Sequence, residues 1–498
     1  MSTPFPEPPA TPSGSSDVLF VDLDGTLIHG DLLHESIARL LFRRPLWLAF
    51  ALMRLAIAPA RLKREIAAVY TPDVTTLPYR QNVLELIDAR RGSQRLVLAT
   101  AGDKTWAQRV ADHLGGFEGV VASDGGDNIK GVRKLAAIQE WCARHGATRW
   151  GYVGDSESDV AVWREANEAI VVNDSPRLRE TVETLGTSAR FVAAPRPTLA
   201  DIGRVLRVQQ WVKNLLVLVP LPLSQTPPTT GMIVKGILAF LAFCLAASGI
   251  YIINDLIDLD ADRAHPRKRF RPFAAGRFPM LFGPPFAAGL LATAGGLAYA
   301  VGSGGFGILL AMYLTLTVAY SLLLKRLPVV DVLVLASLYM LRIIAGGSAT
   351  GVPISEWLLA FSMFFFFSLA LAKRHSELLR LAGKSDGVAA GRGYLAGDAP
   401  FIQTLGIVSG MISVLVFALF AHSPETRQLY ANSFALWFAC PLLTLWLGRV
   451  WLFSARGTLS DDPVMFAVRD GVSIATGVLM LACVLYAKGM GFPWLPPI

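Results

Sequence analysis

Two short stretches hold the acidic residues best spaced for chemistry. In VLFVDLDGTLI, Asp22 and Asp24 flank a single Leu at the end of an apolar run, and GDSESD further on adds Asp155 and Asp159. Side chains alternate along a strand, so Asp22 and Asp24 project to the same side. The second stretch is NDLIDLDADRAHPRKRFRPFAAG, Asn254 to Gly276, set between two apolar runs. Asn254, Asp255, Asp258 and Asp262 follow the spacing N-D-x-x-D-x-x-x-D. If the helix runs on to Asp262, steps of three and four put these side chains on one face. Three carboxylates on one face repel unless a cation bridges them. Mg2+ chelating a diphosphate meets that need, because hard cations take oxygen ligands and keep phosphate partners. Arg263, Arg267, Lys268, Arg269 and Arg271 would hold the remaining phosphate oxygens. A plain solvated loop would explain the basic residues but not aligned Asp residues at an apolar boundary.

The first stretch needs a sheet to position it. Residues 18–28 read as a buried strand running into a turn, Arg95–Thr100 as a second strand and Arg149–Val153 as a third. Between the second and third lies DNIKGVRKLAAI, with Lys130 and Lys134. Ligands of open α/β sheets bind beyond the carboxyl ends of the strands. Three strand ends and one connecting segment thus deliver carboxylates, a hydroxyl (Thr100) and an amine. This constellation, DLDGT with a downstream GDxxxD, resembles the haloacid dehalogenase (HAD) superfamily, in its phosphoserine-phosphatase-like branch. The resemblance implies that Asp22 attacks phosphorus to form an aspartyl-phosphate, and that Asp24 protonates the leaving alcohol and then activates water. It implies Mg2+ held by Asp22, the Asp24 carbonyl and Asp155, with Asp159 in the same acidic set. Thr100 and one Lys would hold the phosphoryl oxygens; Lys134 is the choice, with Lys130 the alternative. A degenerate, non-catalytic domain of the same fold is the competing reading. Residues 32–70, interrupted by Arg43, Arg44 and Arg54, fall where this family inserts a helical cap. They form either a helix pair packed on the core or a cap lying on a membrane surface.

The composition separates the two stretches into different environments. Of 498 residues, 53% are hydrophobic and 17% charged, and the mean hydropathy is +0.46. That excludes an ordinary soluble protein and predicts membrane spans. The reading is a two-domain chain: residues 1–16 a disordered tail, 17–194 an α/β HAD-like parallel sheet with a helical cap, 195–204 a linker, and 205–498 an all-α membrane bundle. Nine apolar segments are expected, at about 212–224, 231–253, 283–302, 305–324, 330–349, 356–373, 401–421, 431–448 and 472–491. Most Lys and Arg fall in alternate loops. The net charge of +8 therefore reads as cytoplasmic loops and phosphate sites, with no nucleic-acid partner. The expected location is a bacterial inner membrane, with the N-terminal domain and basic loops cytoplasmic and the C-terminus outside. Cys142, Cys244, Cys440 and Cys483 form no CxxC pair and read as reduced.

The acidic loop, with LRVQQWVKNLLVLVP (containing Lys213) and YSLLLKRLPVVDVL (Tyr320, Lys325 and Asp331), resembles the UbiA superfamily of membrane prenyltransferases over residues 200–498. DADRAHPRKRFRPFAAG, LRIIAGGSATG and AKRHSELLRL are most similar to its decaprenyl-phosphate phosphoribosyltransferase branch. The resemblance implies transfer of phosphoribose from phosphoribosyl pyrophosphate (PRPP) to a polyprenyl phosphate, with diphosphate released. The cytosolic domain would then remove the 5-phosphate of the product. One departure is informative. After the sixth segment the loop has Lys373, Arg374 and Glu377 but no DxxxD, which argues against a site for two Mg2+ ions on a prenyl diphosphate. One acidic cluster with extra cations suits Mg–PRPP and a lipid monophosphate; otherwise Lys373 and Arg374 are helix-end anchors. Arg342 lies about 16 Å along a helix from Asp331, at mid-membrane depth. It either contacts a substrate phosphate or a carboxylate, or braces a helix that breaks at Gly346–Gly347. The rival enzyme is a prenyltransferase that joins a prenyl diphosphate to an aromatic or other acceptor. The rival from another class is a transporter or lipid-binding protein with a regulatory soluble domain.

Overall fold

A computed structural model describes residues 17–53, 59–124, 128–173, 175–194, 198–381, 393–459 and 462–489. The expected tail, Arg54, most of the PRPT linker and much of the loop after Arg380 lie outside the described residues. The chain forms two compact units. The first joins the residues up to Leu206 with Tyr251–Ala287; the second joins Arg207–Ile250 with Ala288 onward. The sequence reading gave everything after residue 205 to the membrane bundle, whereas packing groups the acidic loop with the first unit.

Six parallel strands form the centre of the first unit: β1 (Val18–Val21), β2 (Arg95–Asp103), β3 (Phe117–Ser123), β4 (Trp150–Gly154), β5 (Glu168–Val171) and β6 (Ser188–Phe191). Their order is β3-β2-β1-β4-β5-β6. The sequence reading found β1, β2 and β4; the other three extend the sheet on both sides. β1 and β4 are buried along their whole length, as expected where both faces of a parallel sheet are covered. Leu19 and Val21 enter one core with Leu98 and Val153, while Val18 and Phe20 enter the other with Val97 and Tyr152. Alternation thus aims the two faces and leaves the carboxyl ends of β1, β2 and β4 open for polar side chains.

Helices Leu32–Arg43, Pro45–Met53 and Pro59–Val69 follow β1. Asp31 starts the first by accepting from the amides of Leu33 and His34. Leu40, Leu48, Ala51 and Ile66 join the sheet's core, which agrees with the packed-cap alternative, although Leu46, Phe50 and Met53 remain exposed. The acidic segment also differs from expectation. The helix Thr230–Ile257 ends before Asp258, whose ψ is 14°, and Leu259–Ala264 begins a new short helix. Asp suits helix starts better than helix interiors, so the single long helical face is interrupted there.

Among the described residues, seven helices are long and apolar enough to cross a membrane: Thr230–Ile257, Met280–Val301, Gly304–Leu322, Val330–Thr350, Glu356–Arg380, Ala396–His422 and Ser433–Ala455. Nine was an overestimate. The expected first span is a 3-10 helix, Val208–Leu218, followed by the four-residue helix Pro220–Leu223. The expected last is Gly471–Ala487, a 17-residue helix, short of the roughly 20 residues a bilayer core requires. In the second unit the helix Val330–Thr350 runs unbroken through Gly346 and Gly347. These glycines serve contact: a Cβ on Gly346 would stand 1.9 Å from the Val217 carbonyl oxygen.

Candidate active sites

The first candidate site forms where β1, β2 and β4 end. Asp22 leaves β1 with its amide bonded to the Val153 carbonyl at 2.9 Å, so the acidic turns after β1 and β4 lie side by side. Gly25, at φ +74°, lets this turn approach Asp155; a Cβ there would lie 2.2 Å from an Asp155 oxygen. Asn173 fixes Asp155 by donating to its carbonyl at 2.6 Å. Lys134 Nζ lies 3.2 Å from Asp22 and 3.0 Å from Asp159, and donates to the Tyr152 hydroxyl at 2.6 Å. Tyr152 in turn donates to Asp159 at 2.8 Å, and Ser156 donates to the other Asp159 oxygen at 3.0 Å. Of the two lysines, Lys134 is thus the one at the Asp22 carboxylate; Lys130 is exposed on the cavity wall. Asp24 accepts from the Leu32 amide at 2.9 Å. Its carboxylate and the Thr100 hydroxyl both border Gly102.

Electrostatics set the character of this cluster. Burial pushes the Asp22 carboxyl up, Lys134 pulls it down, and Asp159 and Asp155 raise it again, leaving it at about 7. Burial, then Asp159, lifts Asp155 to about 6. Asp24 is raised well above the usual range, first by burial and then by Asp31. Asp159 goes the other way: burial is outweighed by Lys134 and by its hydrogen bonds. Ligand oxygens of Asp22, Asp155 and Asp159 lie within 4.8 Å of one another. Three carboxylates against one ammonium leave excess negative charge, which fits a hard divalent cation. Asp22 and Asp155 line the cavity, whereas Asp159 is committed to Lys134, Tyr152 and Ser156. The cavity is about 900 Å3 and is also lined by Asp24, Thr100, Lys130, Lys63, Arg80 and residues 276–280.

The acidic loop is neutralised differently. Asp255 and Asp262 are buried, and Arg271 reaches both, at 3.1 and 2.6 Å. Lys268 stands 3.9 Å from Asp262. Asp258 and Arg269 are exposed and Asn254 is half-buried. Arg263, expected to hold phosphate, instead makes a two-pronged ion pair with Glu35 of the cap, 2.8 Å on each arm, and donates to the Ala274 carbonyl. Arg39 of the same cap helix pairs with Asp260.

In the second unit, Lys213 pairs with Asp462. Burial of Asp462 is outweighed by Lys213 and Lys373, and its carboxyl is held below the usual range. Arg374 is fully buried and pairs with Asp331 and Glu377, so it is no helix-end anchor; Tyr320 lies within its reach. Tyr394 donates to Asp331 at 2.6 Å. Lys325 sits half-buried in the tight turn Leu324–Arg326. Arg342 is held by Asn214 at 2.8 Å, the Tyr313 hydroxyl at 3.0 Å and the Leu338 carbonyl. It braces an unbroken helix, a combination that neither expected alternative contained. Lys63, Glu35, Arg39, Asp260 and Asp462 escaped the sequence reading. Their partners lie far off in the chain: Arg263 for Glu35, Asp260 for Arg39, Asn128 for Lys63 and Lys213 for Asp462.

Two family models match: "UbiA prenyltransferase family" over residues 223–469 and "haloacid dehalogenase-like hydrolase" over residues 19–164. A Sinorhizobium fredii protein described as uncharacterized is 38% identical over 472 residues, 94% of this chain and 90% of its own length. A nodulation protein of Azorhizobium caulinodans is 35% identical over 54% of this chain and 87% of its own. The decaprenyl-phosphate phosphoribosyltransferase of Mycobacterium tuberculosis is 32% identical over 303 residues, 60% of this chain and 97% of that protein. With the helical bundle, the sheet and these matches in agreement, the chain belongs to the UbiA prenyltransferase family and carries a haloacid dehalogenase-like hydrolase domain at its N-terminal side.

Proposed function

We propose that the membrane-spanning part transfers 5-phosphoribose from PRPP to a polyprenyl phosphate, and that the HAD-like domain then removes the 5-phosphate of the product. The observation that carries the first half is the similarity spanning 97% of a relative named for that transfer. The pairing of carboxylates and cations among Asp255, Asp262, Lys268 and Arg271 supports it. In the reaction a lipid phosphate oxygen bonds to C1 of ribose while the C1–O bond to diphosphate breaks, and diphosphate keeps the electron pair. Arg271, Lys268 and Arg269 supply positive charge to the phosphates of PRPP as charge builds on the leaving group. Asp255 and Asp262, which Arg271 bridges, would with Asp258 and Asn254 hold Mg2+ only once Arg271 turns from them to the diphosphate; bound Mg2+ would screen that leaving group. Lys213, paired with Asp462, and Lys373, whose charge also acts on Asp462, are the cations we assign to the lipid phosphate; Tyr320, Lys325, Arg342 and Arg374 are the further polar side chains of the bundle we assign to substrate.

In the second step the Asp22 carboxylate attacks phosphorus, and the bond to the ribose O5 oxygen breaks. Asp24, held up as an acid by burial and Asp31, gives that oxygen its proton. It then takes a proton from the water that hydrolyses the aspartyl-phosphate. Lys134 and Thr100 hold the phosphoryl oxygens, and Asp159 and Tyr152 hold Lys134. Asp22 and Asp155, with the Asp24 carbonyl, would hold Mg2+, which offsets carboxylate–phosphate repulsion when bound. Charge in the loops supports a cytoplasmic location for this domain, with the C-terminus across a bacterial inner membrane.

The test combines purified protein, Mg2+, labelled PRPP and a polyprenyl phosphate. Label in the lipid extract is expected, on a lipid that has lost its 5-phosphate. Consumption of a prenyl diphosphate with an aromatic acceptor, and no label from PRPP, would overturn the proposal in favour of an ordinary prenyltransferase.

A further inference from the structure

We propose that the cavity over Asp22 contains a second anion subsite, built on Arg277, that selects phosphomonoesters carrying a phosphodiester at their other end. The inference rests on the phosphatase reading above and deepens it.

One wall of that cavity is made by residues 276–280, which follow the acidic loop and lie far along the chain from β1, β2 and β4. Gly276 makes the approach possible. Its φ is +65°, and a Cβ there would stand 2.4 Å from the His29 carbonyl oxygen. Only glycine allows that combination of conformation and closeness. The turn around it is fixed: Ala275 donates to the Arg271 carbonyl at 2.8 Å, and Arg277 and Phe278 both donate to the Pro272 carbonyl, at 2.9 and 3.2 Å. The buried ring of Phe273 meets Phe278 edge-on at 5.3 Å. Arg263, locked to Glu35, adds its bond to Ala274.

The Arg277 backbone is therefore held while its exposed side chain lines the cavity. The other arginines that line the cavity have protein partners: Arg263 has Glu35, Arg204 has Asp201 at 2.8 Å, and Arg80 donates to the Gly25 carbonyl at 3.0 Å. Among the described residues no carboxylate forms an ion pair with Arg277. The local field agrees: burial, then Arg80 and Arg277, lowers the His29 imidazole to about 4. The catalytic carboxylates demand one phosphate at the strand ends, and Arg277 offers a second anion a planar, two-pronged donor. A cavity of about 900 Å3 has room for a sugar with a phosphate at each end. That is the form of a ribose joined through C1 to a lipid phosphate and still bearing its 5-phosphate.

The experiment uses the full chain and two soluble probes, ribose 5-phosphate and its derivative with an octyl phosphodiester at C1. Wild type is expected to prefer the diester probe by about tenfold in kcat/KM, the scale of one charged hydrogen-bond pair. Arg277→Gln is expected to erase that preference through KM, and Arg277→Lys to restore part of it. A non-hydrolysable 5-phosphonate of the diester probe, titrated calorimetrically, should bind Arg277→Gln about tenfold more weakly. Equal losses on both probes, no preference in wild type, or unchanged phosphonate binding would each overturn the subsite. If wild type hydrolyses neither probe, the phosphatase reading fails by itself, and the phosphonate titration still decides on the subsite.

Discussion

The molecule contains two acidic clusters that look alike in sequence and are managed differently in space. At the strand ends Asp22, Asp155 and Asp159 share one ammonium, Lys134, and keep surplus negative charge. In the loop, Arg271 returns to bridge Asp255 and Asp262, so the pair is compensated from within its own segment. The lesson concerns scaffolds. Parallel strands end in register and force their carboxylates together whether or not charge allows it. A helix that yields at Asp258 lets its acidic residues separate and take up a local arginine instead.

Asp22→Asn should lower phosphate release from the lipid product by at least on the order of a thousandfold, while label from PRPP still enters the lipid. Loss of both activities would mean that the clusters do not divide the chemistry. Next in size, Asp255→Ala or Asp258→Ala should reduce label transfer by roughly a hundredfold or more, with hydrolysis of ribose 5-phosphate retained. Full transfer by either variant would remove the loop from the chemistry.

The pairing of the cap with the acidic loop also bears on stability. Glu35→Ala leaves the buried Arg263 guanidinium unpaired, at a cost of about 3–5 kcal/mol, read as a lower unfolding midpoint. Replacing Glu35 and Arg263 together by Met should recover most of it; no recovery would mean that the pair is needed for more than charge balance. The smallest effect concerns acid. Burial of Asp260 is outweighed by its bond to Arg39, and its folded pKa is depressed. Its contribution is therefore complete above the unfolded carboxylate value of about 4 and fades as pH falls through the lower folded value. Asp260→Asn should flatten that part of the acid-unfolding curve, and an unchanged curve would show that the exposed side of the pair is already screened.

The strand-end cluster was legible because alternation and strand ends are local properties: DLD, the Thr at the end of RLVLAT and GDSESD announce themselves. β3, β5 and β6 were not: β5 and β6 end in Val171 and Phe191, with no acidic or hydroxyl group to mark them, and β3 and β6 are only partly buried, which weakens their apolar signal. The loop's composition was legible, its geometry only partly. Spacing suggested one helical face, but nothing local said that the backbone would yield at Asp258 or that Arg263 would turn to a glutamate 228 residues earlier. In the bundle, hydropathy found the long helices. It overcounted at residues 208–223, which form a 3-10 helix and one short turn of helix, and at the 17-residue Gly471–Ala487; Gly346 and Gly347 left a break open as one alternative, where they serve close packing.

The first unit is sewn from two stretches of chain, with residues 207–250 threaded between them. As the polypeptide leaves the ribosome, the sheet can assemble early, yet Glu35 and Arg39 must wait for Arg263 and Asp260. At roughly 5–20 residues per second the delay is on the order of tens of seconds, and the first apolar helix emerges within it. The hydrolase domain can finish folding only after the bilayer has been offered its first span, so maturation of the soluble fold is timed by insertion.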